Sequence, residues 1–179
     1  MSRVELVDPT TASGDAVALL SEITSTFGAT PAMFRAVANS PAALEMMWAG
    51  FGALGGGRLG PKLGEQIAVL VADRNSCEYC LAAHTALGRK AGATAEEMGE
   101  AQAGRSADPR TRVALAFAEK LVRERAQVTD ADIEALRVAD FDDEEIVEII
   151  AHVALNLFTN YINVALAVPV DFPKVALLR

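Results

Sequence analysis

Cys77-Glu78-Tyr79-Cys80-Leu81-Ala82-Ala83-His84 is the stretch from which the rest of the chain is read. Two cysteines stand three positions apart, and a histidine follows four after the second. No other cysteine occurs, and His152 is the one other histidine. In a helix, steps of three and four place Cys77, Cys80 and His84 on one face. Asp73-Arg74-Asn75-Ser76 forms a polar break after the apolar run Ile67–Ala72. Asn75 reads as an N-cap with Glu78 completing a capping box. Both cysteines then fall in the first turns, where free N–H groups and the helix dipole favour a thiolate. His84 can take or return a proton one turn further on. The residues support an activated dithiol.

Other readings use the same residue types. Structural zinc takes four ligands, and Cys77, Cys80 and His84 give three, so a metal site would need His152 or a carboxylate as the fourth. A static disulfide over so short a loop would stabilise little. Two inert core cysteines beside a core histidine are the remaining alternative.

The longer span Glu65–Gly92 sets a glutamate twelve residues before Cys77. With the C-x-x-C and the histidine, this span resembles the core of the carboxymuconolactone decarboxylase and alkylhydroperoxidase-D superfamily. From about residue 30 to 170 the layout is similar to its peroxidase-related subgroup. The resemblance implies an all-α, compact multi-helix alkylhydroperoxidase-D-like domain spanning residues 1–179. Its catalytic core would lie at about 59–92 and its C-terminal helical part at about 108–168. By the same resemblance Cys80 is the peroxidatic thiol, Cys77 the resolving thiol, and Glu65 and His84 the proton relay. The implied activity is thiol-dependent peroxide reduction. Hydroperoxide is the substrate, an external thiol or dithiol the electron donor, and no metal, haem or flavin is involved. The alkylhydroperoxidase pattern has a histidine just before its second cysteine; Tyr79 stands there instead and removes one relay member. True carboxymuconolactone decarboxylases lack the cysteine pair. A lyase or isomerase using Glu65 and His84 as acid and base, and a non-enzymatic redox-sensing module, are the alternatives. Members of this organisation assemble as trimers or hexamers, so a homo-oligomer is expected.

The whole composition fits. At 179 residues the chain can bury a real core. Hydrophobic residues make up 51% but aromatics only 6%, with small residues that allow close helix packing. A net charge of −8 disfavours a nucleic-acid partner. No apolar run approaches membrane-spanning length, and Met1-Ser2-Arg3-Val4-Glu5 does not read as a signal peptide. A thiol pair without an export signal predicts a cytoplasmic protein.

Periodicity predicts helices throughout and strands nowhere. Asp15–Phe27 is ended by Gly28, Pro31 opens a short helix, and Pro41 starts the next. The Met and aromatic stripe through Met33, Phe34, Met47, Trp48 and Phe51 reads as core, with an apolar mouth at the thiols as the alternative. Gly55-Gly56-Gly57 lacks the Lys-Ser/Thr of a phosphate loop. Further helices are expected over 59–72, from Thr94 with a capping box at Glu97, from Asp108-Pro109, from Thr129 or Asp130, and from Phe141 to about Ala167. On the last, His152, Asn156, Asn160 and Asn163 share one face. Buried amides need partners. A helix–helix or subunit contact would supply them; alternatively they line the thiol cavity. Tyr79, Asn156 and Asn160 are the candidate substrate-lining residues. Pro169–Arg179 is expected to be extended and to pack on a neighbouring subunit.

Overall fold

The computed structural model describes residues 1–178, and among them it contains nine helices and no strand. They are α1 Ala16–Phe27, α2 Ala32–Val37, α3 Pro41–Gly55, α4 Gly60–Arg74, α5 Glu78–Lys90, α6 Ala95–Gln102, α7 Pro109–Arg123, α8 Asp130–Val138 and α9 Asp143–Ala165.

Capping signals in the sequence set most of the starts. Thr94 and Glu97 exchange bonds across the first turn of α6, and Asp142 and Glu145 do the same on α9. Asp108 accepts from Thr111 N–H ahead of the proline that opens α7. Gly28 ends α1 at φ 79°, a left-handed conformation that glycine adopts without steric cost.

The link between α4 and α5 differs from the sequence expectation. Asn75 is not the N-cap of the dithiol helix. It is the C-cap of α4, and its amide donates to Val71 O and to Asn160 Oδ1. Ser76 turns the chain at φ 55°, and Cys77 takes the cap. The longer α4 explains the shift: its apolar run carries the helix through Arg74, leaving three residues to reverse direction.

Helix α4 is the central element. Ile67, Val69, Leu70, Val71 and Ala72 are fully buried, and the helix packs against α5, α6, α7 and α9. Burying a Leu or Ile side chain contributes roughly 2 kcal/mol, so this one helix anchors the core. Packing is closest where α4 meets α9. A Cβ on Gly64 would sit 2.8 Å from His152 Cε1, so only glycine lets the imidazole lie on the α4 backbone.

The C-terminal segment is extended, as expected, but it packs on its own chain. Asp171 Oδ2 accepts from Ala32 N–H, and Phe172 stacks edge-on against Tyr79 with centroids 5.7 Å apart. Gln102 donates to Ala176 O, and Leu178 N–H donates to Asp73 Oδ1. The tail therefore straps α9 back across α2, α5 and the end of α4.

Candidate active site

The reversal at Asn75–Ser76 delivers Cys77 to the open N-terminus of α5. Its sulfur accepts from Cys80 N–H at 3.2 Å, so a thiol group serves as the helix cap. Cys77 and Cys80 are joined as a disulfide with Cα atoms 5.4 Å apart. The structure thus describes the oxidised form. Both residues are buried, at 1% and 2% exposure.

In the second turn of α5, His84 meets Glu65 from α4, with Nδ1 and Oε2 2.7 Å apart. An Nδ1–H donated to the carboxylate leaves Nε2 as the basic nitrogen of a neutral ring. Glu65 and His84 are nineteen positions apart and meet because α4 and α5 pack antiparallel around the short turn.

Cys80, His84 and Glu65 line one cavity of about 380 Å³. Its walls are mainly apolar: Met33 and Phe34 from α2, Trp48 and Phe51 from α3, and Phe27 and Phe172. Phe34 packs edge-on against both Trp48 and Phe51, which fixes the wall. The Met and aromatic stripe is therefore divided. Leu44 and Met47 are core, while Met33, Phe34, Trp48 and Phe51 form the mouth at the sulfur. Tyr79 also lines this cavity; its hydroxyl accepts from Met33 N–H, and burial pushes its pKa up, with Asp171 adding to the effect. Tyr79 stays protonated and does not replace a relay imidazole.

A smaller cavity of about 100 Å³ lies behind the His84–Glu65 pair and is also lined by His152 and Asn156. Burial pushes the His152 pKa down; His84 adds to this, while Glu148 and Glu65 oppose it. His152 Nε2 and Asn156 Oδ1 are buried without a protein partner.

The three asparagines of α9 have separate surroundings. Asn163 reaches the cysteine pair: its Nδ2 donates to Cys80 Sγ at 3.2 Å and to Met33 Sδ at 3.1 Å. Asn160, expected to line the cavity, does not; it is fully buried and accepts from Asn75 at the α4–α5 turn. Asn156 lines only the smaller cavity. Met33, Thr159 and Phe172 also line the larger cavity, although sequence patterning gave no site role to Thr159 or Phe172.

Residues 41–120 match the carboxymuconolactone decarboxylase family. No curated protein matches the chain. Among solved structures, a peroxidase-related protein from Silicibacter sp. TM1040 is 27% identical, with a TM-score of 0.82, covering 98% of this chain and 92% of that one. An alkylhydroperoxidase AhpD core protein from Ralstonia eutropha JMP134, also described as peroxidase-related, is 26% identical, with a TM-score of 0.83, covering 95% and 92%. The debrominase Bmp8, solved in complex with 2,3,4-tribromopyrrole, shares the fold at 18% identity and a TM-score of 0.78, covering 96% and 94%. A segment at 41–120 thus matches that family, and over nearly all of its length the chain shares the fold of proteins described as peroxidase-related.

Proposed function

We propose that the protein is a thiol-dependent peroxidase for organic hydroperoxides. One observation carries this reading: Cys80 opens, with the His84–Glu65 pair, into an aromatic-walled cavity, while Cys77 sits bonded behind it. In the reduced form, His84 takes the Cys80 proton and Glu65 steadies the imidazolium. The thiolate attacks the distal oxygen of the hydroperoxide. An S–O bond forms, the O–O bond breaks, and the alkoxide leaves with the proton held by His84, as an alcohol. Cys77 then displaces water from the sulfenic acid to give the disulfide. Two thiol equivalents from an external donor restore the pair. A thiol-reducing compartment such as the cytoplasm suits this cycle.

The test is hydroperoxide consumption with a dithiol donor, comparing the parent with Cys80→Ser. Loss of turnover in the variant is expected, and equal rates would remove the peroxidase reading. The bonded Glu65–His84 pair favours a second reading, an acid–base lyase or isomerase. Such an enzyme would keep its activity with both cysteines replaced by serine.

A further inference from the structure

A carboxamide touches the sulfur at the centre of this site. Asn163 comes from α9, a different element from the one that carries the cysteines, and its Nδ2 contacts Cys80 Sγ. The residue is only 3% exposed, and its carbonyl oxygen, Oδ1, is buried without a protein partner. A buried amide with one end on a weak sulfur acceptor and the other end unsatisfied is a poor stabilising element. An unpaired buried carbonyl costs on the order of 1–3 kcal/mol. Leucine, close to asparagine in shape, would fill the same place without that cost.

We infer that Asn163 is a catalytic residue, whose N–H stabilises the Cys80 thiolate. A hydrogen bond to an ionised acceptor is about twice as strong as a neutral pair. The contact seen on the disulfide strengthens once Cys80 carries charge. No electron or atom passes through Asn163. Its Oδ1 is enclosed by protein, so the amide acts on the sulfur and not on the substrate.

The other ionisable groups around Cys80 are Cys77 and His84 on its own helix, Glu65 on α4, and Tyr79 with Asp171 of the tail behind it. His152 on α9 stands behind the His84–Glu65 pair. Among the hydrogen bonds of the described residues, the one to Cys80 Sγ comes from Asn163. The inference rests on Cys80 being the attacking sulfur of the proposed cycle.

Asn163→Leu separates a chemical from a structural role, because the two predict opposite signs. The Cys80 thiolate is titrated by its ultraviolet absorbance in the Cys77→Ser background, with and without Asn163→Leu, and thermal unfolding is followed in parallel. The expected result is a midpoint raised by about one pH unit, a roughly tenfold loss of thiolate below it, with thermal stability equal or higher. An unchanged midpoint in a folded variant would overturn the inference. Asn163→Ala is read by the same rule if the leucine variant does not fold. Failure of both to fold would also overturn it, since the amide would then serve packing. Peroxide consumption by the parent is measured apart from this titration, so an inert parent would remove the peroxidase reading and leave the thiolate result standing.

Discussion

At the scale of the residue, the site brings together a sulfur, an imidazole and a carboxylate bonded to that imidazole. Replacing Glu65 by glutamine keeps an acceptor for His84 Nδ1 but removes the carboxylate charge that would steady an imidazolium. Hydroperoxide kcat/KM should fall about a hundredfold, the usual magnitude for losing positioned acid–base help, and stopped-flow assays would read it. His152 gives a separate pH effect. Its folded pKa is held below the ordinary 6.5, chiefly by burial. The unfolded chain therefore binds the proton more readily. The stability tied to a neutral His152 is complete above the unfolded value and is lost as pH falls toward the folded one. Denaturant unfolding between about pH 8 and about pH 5 should show the parent losing more stability than His152→Gln; parallel losses would refute this. Cys77, Cys80 and His84 could be placed on one helix face from spacing alone, and Glu65 joined them through the family resemblance. The roles of Asn163 and Asn160 could not be assigned in advance. They lie on one face of α9, and which amide meets the sulfur depends on how α9 crosses α5, a rotation that spacing within one helix does not encode.

At the scale of the element, the crossing of α4 and α9 sets the geometry behind the base. Alanine is the better helix former by about 1 kcal/mol, so Gly64→Ala on helix propensity alone would stabilise the protein. The imidazole of His152 occupies the space of the new methyl. The substitution should instead cost about 1–3 kcal/mol, read as a lower urea midpoint, and a higher midpoint would contradict the packing. Helix starts were legible where a cap stands alone before a proline or a glutamate, as at Thr94, Asp108 and Asp142. Asn75 misled because the same Asn-x-x-Glu pattern can follow a helix that has not yet ended. The apolar burial of Ile67–Ala72 extends α4 past the polar break, and the cap then moves to Cys77.

At the scale of the whole molecule, α9 shows solvent an apolar outer face. Val147, Ile150, Tyr161 and Val164 are all exposed, and Ile149–Ala165 carries no Asp, Glu, Lys or Arg. Such a face matches the proposed homo-oligomer. Light scattering should give a multiple of 18.9 kDa, reduced by Tyr161→Glu. A parent at the mass of a single chain would refute the assembly. The tail's course was not legible, because Phe172 meets Tyr79 only after α9 ends and the chain turns at Ala167, φ 50°. The burial of the two sulfurs has a kinetic consequence. Cys80 borders the large cavity, whereas Cys77 is shut behind it at 1% exposure. In the proposed cycle, oxidant and reductant therefore use a single doorway in turn. Steady-state rates should follow a ping-pong law in which each reactant, in excess, competes with the other. A donor caught midway should be tethered to Cys80, not to Cys77.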